Sequence, residues 1–198
     1  MRLDQDFYLQ DSVTVAKYLV GQLLVRMIQG VEVICRIVET EAYVGPEDKG
    51  SHAYRNKRTK RTEVIFAPGG KAYVYLIYGM YHCLNIVTNR KDKPETVLIR
   101  ACEPLTGWEK IKKNRQIRSK KLVDYTNGPG KLCQALAIDM TFTGCDMIYG
   151  DLLFVKQDIT REKIDVVADT RINIDYAQEY RNKLWRFYIM GNSYVSQQ

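Results

Sequence analysis

The spacing of apolar residues along the chain predicts two helices. Asp11 and Ser12 can cap a helix, and apolar side chains then recur at intervals of three and four residues until Gly21 interrupts the pattern. A second helix is predicted to begin at residues 128–130, where Gly-Pro-Gly precedes apolar positions at helical spacing. The basic stretch 108–121 suits either a helix or a loop.

Alternating and β-branched apolar residues predict a larger number of strands. The predicted strands lie at residues 31–43, 72–79, 80–88, 95–104, 151–157, 163–174 and 183–191. The segments 72–79 and 80–88 are expected to form a hairpin that turns near Gly79. This balance predicts an α+β fold: a mixed, mostly antiparallel β-sheet with packed helices and a protruding β-hairpin, in a single domain over residues 1–198.

The composition is typical of a globular protein rather than a membrane or secreted one. No apolar stretch approaches the roughly 20 residues that span a membrane, and the N-terminus has no apolar signal-peptide core. The five cysteines are scattered, so free thiols are expected rather than disulfides or a metal site. We therefore expect a cytoplasmic location, nucleoid-associated in a prokaryote or nuclear in a eukaryote.

The sequence contains no metal-ligand cluster and no nucleotide-cofactor fingerprint. No metal and no cofactor are therefore predicted. No membrane partner is expected, and a monomer is the default oligomeric state.

Positive charge is concentrated in two stretches. The chain has a formal net charge of +7; residues 55–61 hold five basic side chains and residues 110–121 hold seven, with no acid in either. One such stretch alone would be interpreted as a solvated loop, but two favour a surface that binds nucleic-acid phosphates. The first lies within residues 45–63, a polar loop long enough to be either functional or disordered.

Two glutamates stand in an otherwise apolar strand. Strict alternation places Ile37, Glu39, Glu41 and Tyr43 on one face. Either this face is a wet sheet edge, or it lines a pocket in which a carboxylate can act as a general base. Arg100 follows three apolar residues of another predicted strand. It is either the charge partner of such a glutamate or a side chain that reaches solvent from the strand end.

Large side chains are expected at the tip of the predicted hairpin. Tyr78 and Met80 flank Gly79, although turns favour small polar residues. Such a tip is either a group of tyrosines that cap the core, or a wedge of the kind that base-flipping proteins insert between base steps. Tyr43 and Tyr75 could then provide flat surfaces on which an extruded base stacks.

These residues belong to longer stretches of sequence. The stretches are ETEAYVGPEDKGSHAYR, APGGKAYVYLIYGMYHCLNIVT, VLIRACEPLTG, GPGKLCQALAI and LWRFYIMGNSYVS. In this order the chain resembles the alkyladenine (3-methyladenine, methylpurine) DNA glycosylase family, from about Asp11 to Ser196. The resemblance implies a monofunctional base-excision repair enzyme that flips damaged purines out of double-stranded DNA and hydrolyses the N-glycosidic bond. It implies 3-methyladenine, 7-methylguanine, hypoxanthine and ethenoadenine as substrates.

Taken position by position, the resemblance assigns the catalytic and stacking roles. Glu41 in ETEAY corresponds to the general base that activates the attacking water. Arg100 in LIRA corresponds to the residue that helps to hold this water and the carboxylate. Tyr43, His52 and Tyr75 are implied to line the pocket of the flipped base.

The resemblance also assigns the remaining contacts with the nucleotide and the duplex. Asn85 is implied to close the pocket floor and to disfavour guanine through its exocyclic amine. Tyr78 corresponds to the wedge, with Met80 beside it in the minor groove. Thr59 and Arg61 are expected to contact phosphates, although this basic loop departs from the family's usual TPRN pattern.

Two other interpretations stay open on the residues alone. A non-catalytic module that recognises distorted duplexes would use the charge and the tyrosines, but it has no use for Glu39 and Glu41 near phosphates. An enzyme acting on free nucleosides or sugars would leave both basic stretches unexplained. Spacing to Tyr43 and the family motif favour Glu41 over Glu39 as the catalytic carboxylate. No lysine is placed as a Schiff-base nucleophile would be, so no lyase activity is predicted.

Overall fold

The computed structural model of the chain describes residues 1–160 and 164–197. Its strands are β1 (Leu23–Ile28), β2 (Val31–Tyr43), β3 (Ala72–Ile77), β4 (Tyr81–Thr88), β5 (Glu95–Pro104), β6 (Leu153–Lys156), β7 (Val166–Asp169) and β8 (Arg186–Ile189). Its α-helices are α1 (Gln5–Tyr8), α2 (Ser12–Leu19), α3 (Trp108–Asn114) and α4 (Pro129–Ala135). Short 3-10 turns lie at Tyr54–Asn56, Glu63–Phe66, Leu122–Tyr125, Met140–Phe142 and Asp175–Asn182.

One antiparallel sheet organises the fold. Its strands run in the order β3-β4-β5-β2-β1-β6, while β8 pairs with β2 and β7. The 13-residue β2 is central, because it pairs with β1 along its first half, with β5 along its second half and with β8 at residues 39–41. The predicted α+β fold with a mostly antiparallel sheet and packed helices is confirmed. Every strand pair among the described residues is antiparallel.

The helices pack on the sheet and enclose the main core. The cap of α2 forms as predicted, since the Asp11 carboxylate accepts a hydrogen bond from the Thr14 amide at 2.9 Å. Leu19 of α2 and Leu132 of α4 are buried in one cluster with Ile99 of β5. Burial of such side chains is the main stabilising contribution to the fold. No helix in the described ranges is long and apolar enough to cross a membrane.

The predicted hairpin forms at one edge of the sheet. β3 and β4 pair along the whole length of β3. At the turn, Tyr78 and Gly79 both have positive φ, 53° and 69°, and the Met80 amide donates to the Ile77 carbonyl at 3.2 Å, as in a type I′ turn. The tip protrudes, because Tyr78 is 75% exposed and Met80 is 66% exposed.

The ladder between β2 and β5 is irregular halfway along its length. Ile37 pairs with Cys102 and Thr40 pairs with Ile99, whereas Val38 between them has no partner. Irregularities of this kind interrupt the alternation of side chains between the two faces of a sheet, and they are common next to active sites.

One prediction about β2 is wrong because of this irregularity, and one of the two interpretations of the glutamate face is rejected. Ile37 and Ala42 are five residues apart and both lie in the main core, which strict alternation would forbid. Ile37 is therefore not on the face of Glu39 and Glu41, contrary to the prediction. Both glutamates are completely buried, so the interpretation of their face as a wet sheet edge is also wrong.

Several predicted elements are longer than those observed. The strand predicted at 151–157 covers Leu153–Lys156, and the strand predicted at 183–191 covers Arg186–Ile189. Helix α3 covers Trp108–Asn114 of the stretch 108–121. Of the strand predicted at 163–174, the structure shows Val166–Asp169. Its four residues pair with the whole of the four-residue β8, and Asp169 lies opposite Arg186, the first residue of β8. Lys163, the first residue of that prediction, lies outside the described residues.

The five cysteines are free thiols, as predicted. Cys35, Cys83, Cys102 and Cys133 are buried, and Cys145 is partly buried. Burial raises the pKa of Cys35 to about 12 and that of Cys83 to about 11. These side chains therefore act as small apolar groups of the interior.

Glu39 joins β2 to β8 and to the C-terminal residues. Its carboxylate accepts hydrogen bonds from Arg186 Nη1 at 2.9 Å and from the Ser196 amide at 2.8 Å. Arg100 Nε lies 3.4 Å from Glu39 Oε1. All three charged side chains are buried, where an unpaired charge would be strongly destabilising.

We predict that Glu39→Gln lowers the free energy of unfolding by about 3 kcal/mol, because the buried Arg100 and Arg186 then keep only one carboxylate partner each. Urea unfolding followed by circular dichroism measures this loss. Glu103→Gln is the matched control, since Glu103 pairs with Arg36 at 3.3 Å but both side chains are partly exposed. The control should lose about 1 kcal/mol or less. Equal losses in the two variants would contradict the structural role of Glu39.

Candidate active site

The buried carboxylate of Glu41 is held by three donors. β2 places Tyr43 on the same face, and Tyr43 Oη donates a hydrogen bond to Glu41 Oε2 at 2.8 Å. Arg100 Nη1 lies 3.2 Å from the same oxygen, and the Ile172 amide donates to Oε1 at 2.7 Å. Burial, reinforced by the Glu41 charge, raises the pKa of Tyr43 well above its usual value, so its hydroxyl remains a donor. The carboxylate is therefore fixed in one orientation.

Arg100 bridges the two glutamates. Its guanidinium lies within 3.4 Å of Glu39 and 3.2 Å of Glu41. Burial alone would lower the pKa of Arg100, but the carboxylates of Glu41 and Glu39 outweigh this effect and raise it. Arg100 is thus the charge partner of the glutamates, and it lies within β5 rather than at a strand end.

A second buried ion pair supports the site from two loops. Arg171 donates to both carboxylate oxygens of Asp48, at 2.6 and 2.8 Å, and neither side chain is exposed. The guanidinium also lies over the Tyr43 ring, 4.7 Å from its centroid. This pair fixes both the polar loop 45–63 and the segment that carries the Ile172 amide against β2.

Aromatic rings enclose a small pocket at the end of β2. The rings of His52 and Tyr75 meet edge to face with centroids 4.6 Å apart, and Tyr73 lies 5.6 Å from Tyr75. Tyr43 and Asn85 line the same pocket, and Asn85 Nδ2 donates to the Tyr73 carbonyl at 3.3 Å. The volume is about 30 Å³, room for only a few water molecules. The structure therefore brings the four predicted pocket residues together around a space too small for a purine.

His52 is a neutral imidazole in this pocket. Its Nδ1 lies 2.9 Å from Tyr73 Oη, and its Nε2 lies 3.4 Å from Arg61 Nη2. A guanidinium can only donate, so Nε2 accepts and the proton is assigned to Nδ1. Burial, followed by the charges of Arg61 and Lys57, lowers the pKa of His52 from 6.5 to about 4. The ring is therefore uncharged at neutral pH.

A wider cleft of about 470 Å³ adjoins the aromatic pocket. Tyr43, Tyr75 and Tyr176 line both spaces, which places the cleft and the pocket side by side. Arg100 and Ile172, two of the residues that hold the buried carboxylate, also line the cleft. A molecule in the cleft would therefore lie next to the groups that orient this carboxylate.

Thr59 and Arg61 lie on an exposed loop beside the pocket. The Thr59 amide donates to Thr62 Oγ1 at 2.8 Å, and the two threonine hydroxyls are 3.1 Å apart, so Thr59 shapes the loop. Arg61 extends over the Tyr75 ring, 5.2 Å from its centroid. Arg58 is neutralised by acidic side chains at 2.6 and 3.1 Å. The loop therefore offers less free positive charge than its sequence indicates.

Tyr78 occupies the hairpin tip at a conformational cost. Its φ of 53° lies in a region that residues with bulky side chains rarely adopt. Asn-Gly is the preferred pair for a type I′ turn, but the tip has Tyr78-Gly79. Tyr78 also lines the cleft, whereas Met80 is not among the lining residues and has most of its surface exposed. A strained, exposed aromatic residue indicates a role outside the fold.

Several groups of this site could not be recognised from the sequence. Ile172 contributes a main-chain N–H, which no side-chain pattern reveals. The Asp48–Arg171 pair joins two loops that are far apart in sequence. In the sequence, the only indication of this pair was Arg171 itself, an arginine within the largely apolar segment 166–174. Tyr176 lines both the pocket and the cleft, but it follows no motif that the sequence analysis singled out.

The sequence profile of the methylpurine-DNA glycosylase family matches residues 6–193. The chain belongs to the methylpurine-DNA glycosylase family. It is therefore a DNA glycosylase, a hydrolase that acts on N-glycosyl bonds, with DNA as its substrate and DNA repair as its role.

Curated bacterial proteins resemble this methylpurine-DNA glycosylase over its whole length. A protein of Natranaerobius thermophilus is 52% identical over 196 residues, 99% of each chain. One of Clostridium perfringens strain 13 is 50% identical over 203 residues, again 99% of each. One of Borrelia garinii is 47% identical over 195 residues, 98% of this chain and 99% of its own. Each bears the name "Putative 3-methyladenine DNA glycosylase".

We predict that this methylpurine-DNA glycosylase loses stability through His52 as pH falls from 6.5 to 4. The folded pKa is about 4 and the ordinary value is 6.5, so in this window the unfolded chain binds a proton that the folded chain does not. Above pH 6.5 the stabilising contribution is complete. Melting temperatures measured across this window should fall less steeply for His52→Gln than for the wild type.

The comparison variant is His82→Gln, which removes the other histidine of the chain but keeps His52 and its buried surroundings. An NMR titration gives an independent reading, because it follows the two imidazoles separately. A His52 resonance that titrates near 6.5 would contradict the neutral, buried ring.

Proposed function

We propose that the protein is a monofunctional DNA glycosylase that extrudes damaged purines from duplex DNA and hydrolyses their N-glycosidic bond, with Glu41 as general base. One observation carries this proposal: the buried Glu41 carboxylate is oriented by Tyr43, Arg100 and Ile172, and these three residues line the cleft beside the aromatic pocket. Water attack on a sugar carbon requires a positioned base next to a bound nucleotide.

In the proposed reaction, Glu41 takes a proton from water while the water oxygen attacks C1′ of the sugar. The bond between C1′ and the purine nitrogen breaks, and its electron pair leaves with the base. Positive charge develops on the sugar in the transition state, and the same carboxylate stabilises it. Tyr43 and Arg100 keep the carboxylate in place and are not consumed.

The extruded base is proposed to stack among Tyr43, His52 and Tyr75. Because the pocket measures only about 30 Å³, the base can enter only when side chains move. Arg61, which lies over Tyr75 and against His52, is the side chain best placed to leave. Asn85 at the pocket wall is proposed to disfavour guanine through its exocyclic amine.

The proposed substrates are 3-methyladenine, 7-methylguanine, hypoxanthine and ethenoadenine. The names of the curated relatives support the first of these for this chain. Purines alkylated at N3 or N7 are cationic and leave as neutral bases, so they need no added proton. Neutral lesions need a proton or hydrogen bond, and His52 is a poor acid at neutral pH because its pKa is about 4. We therefore expect slower release of hypoxanthine and ethenoadenine.

Binding of the duplex is proposed to use the hairpin and the basic loop. Tyr78 fills the space that the extruded nucleotide leaves, and Met80 lies beside it in the minor groove. Thr59 and Arg61 contact phosphates near the lesion. Extrusion costs a few kcal/mol, which the wedge and the phosphate contacts offset. A monomer, acting on DNA in the cytoplasm, is sufficient for this mechanism.

We predict that Glu41→Gln lowers the single-turnover excision rate at least about a hundredfold while lesion binding persists, because the base is lost and the shape is kept. The assay uses end-labelled duplexes with hypoxanthine, ethenoadenine or 3-methyladenine opposite thymine, followed by alkali. Wild-type strand breaks should appear only after alkali. Near-normal rates in Glu41→Gln would refute the assignment of the base.

Two other outcomes of this assay are informative. Breaks without alkali would reveal lyase activity, and Lys131 would be the first nucleophile to test, because it is the described lysine that lines the cleft. Tight, salt-sensitive binding without any excision would instead support the non-catalytic binding module.

We predict that Tyr78→Asn stabilises the protein and weakens its binding to lesion duplexes. Asparagine suits the positive φ of this turn position, so the free energy of unfolding should rise by about 1 kcal/mol. Loss of the aromatic wedge should weaken the complex about tenfold. Thermal unfolding and fluorescence anisotropy measure the two effects. Unchanged affinity for the lesion duplex would exclude the wedge role.

A further inference from the structure

Arg115 differs from the other buried arginines that the structure describes. Arg100, Arg171 and Arg186 each form an ion pair with at least one carboxylate. Arg26 donates to main-chain carbonyls and lies over an aromatic ring. Arg115 is only 9% exposed, and its Nε is buried without a hydrogen-bond partner, as are those of Arg26, Arg100 and Arg171. The difference lies in the rest of the guanidinium. No described residue forms a hydrogen bond or an ion pair with this guanidinium.

The surroundings of Arg115 do not compensate its charge. Burial lowers the pKa of Arg115, and the charge of Asp124 offsets this effect only in part. Asp124 does not form an ion pair with Arg115, and it accepts a hydrogen bond from the Ser119 hydroxyl instead. A buried charge without a partner is costly, so a side chain kept in this state is expected to have a partner outside the chain.

Arg115 lines the wide cleft together with Lys131. Lys131 Nζ donates to Asn127 Oδ1 at 2.7 Å, so its described hydrogen-bond partner carries no charge. Arg100 also lines the cleft, but two glutamates neutralise it. The described lining residues of this cleft include no aspartate and no glutamate. Two positive charges therefore line the cleft without an ion-pair partner among the described residues. The charge of Asp124 acts on both of them, but Asp124 forms an ion pair with neither.

We propose that Arg115, assisted by Lys131, binds a backbone phosphate of the DNA strand next to the extruded nucleotide. The proposal rests on the proposed function, because the nucleotide must enter the cleft for its phosphate to reach these side chains. A phosphodiester is the anion that this chemistry fits: a guanidinium donates two parallel hydrogen bonds to phosphate oxygens, and an ammonium adds a further charge.

This contact gives Arg115 a positioning role. With the base in the aromatic pocket and the sugar beside the Glu41 carboxylate, a phosphate held by Arg115 fixes the strand on the other side of the sugar. The contact forms only after extrusion, so it should favour the extruded state over the stacked state. It should therefore strengthen binding to damaged duplexes more than binding to undamaged ones.

The test is a double-mutant cycle between Arg115→Gln and single phosphates of the duplex. The duplex contains a tetrahydrofuran abasic analogue, which cannot be excised, and a neutral methylphosphonate replaces one phosphate on either side of it in turn. Arg118→Gln is the matched control, because Arg118 lies in the same basic stretch but is exposed. Fluorescence anisotropy gives the dissociation constants, and circular dichroism confirms that each variant is folded.

Arg115→Gln should bind the abasic duplex about tenfold more weakly and reduce the slope of log K against log salt by about one. One methylphosphonate should weaken the wild type and Arg118→Gln about tenfold but barely affect Arg115→Gln. Arg115→Lys, which keeps the charge, should remain sensitive to this methylphosphonate. If Arg115→Gln is as sensitive as the wild type at every position, the proposal is wrong.

Two further measurements apply where the cycle with Arg115→Gln does not give a clear answer by itself. If Arg115→Gln does not fold, the same cycle with Lys131→Gln decides the proposal, and additive effects there overturn it. Wild-type excision of lesion duplexes is measured in parallel. If excision is normal but the effects of the substitution and the methylphosphonate are additive, only the phosphate site is rejected. If excision is absent, the proposed function is rejected, and the double-mutant cycle then tests DNA binding alone.

Discussion

The carboxylates of Glu39 and Glu41 are completely buried, and neighbouring side chains neutralise their charges. Arg100 lies between them, and Arg186 reaches Glu39 from β8. Each ion would be destabilising alone, so the pairing of β2 with β5 and β8 keeps these buried charges neutralised. The same network that holds the sheet centre together also orients the candidate catalytic carboxylate. A site built on central strands is more rigid than one built on loops.

Local sequence patterns predicted the parts of the site that depend on neighbouring residues. Glu41 and Tyr43 are two residues apart in a strand, and the structure joins them by a hydrogen bond. Strict alternation failed at Val38, because two strands share the irregularity and neither sequence shows it alone. The Ile172 amide could not be predicted, since every residue but proline has one. Arg115 looked like one more solvated charge in a basic stretch, because burial depends on the tertiary structure.

One feature of the site lowers the stability of the protein, and another blocks access to the pocket. A functional role explains both more readily than a structural one. Tyr78 adopts a backbone conformation that suits asparagine better, so its ring is retained against a local preference. Arg61 lies over Tyr75 and against His52, in a pocket that is too small for a base. A pocket filled by tightly packed uncharged side chains would be simpler, but such a pocket would not open to admit a base. Sites that must admit a ligand commonly sacrifice some stability in this way.

The burial of the cysteines affects how the protein itself reacts with agents that alkylate DNA. Thiolates, not thiols, react with electrophiles, and alkylating agents are electrophiles. With pKa values of about 12 for Cys35 and about 11 for Cys83, almost no thiolate forms at neutral pH. Burial raises the pKa of Cys102, Cys133 and Cys145 as well. The reagents that methylate purines therefore find few thiolates on this protein.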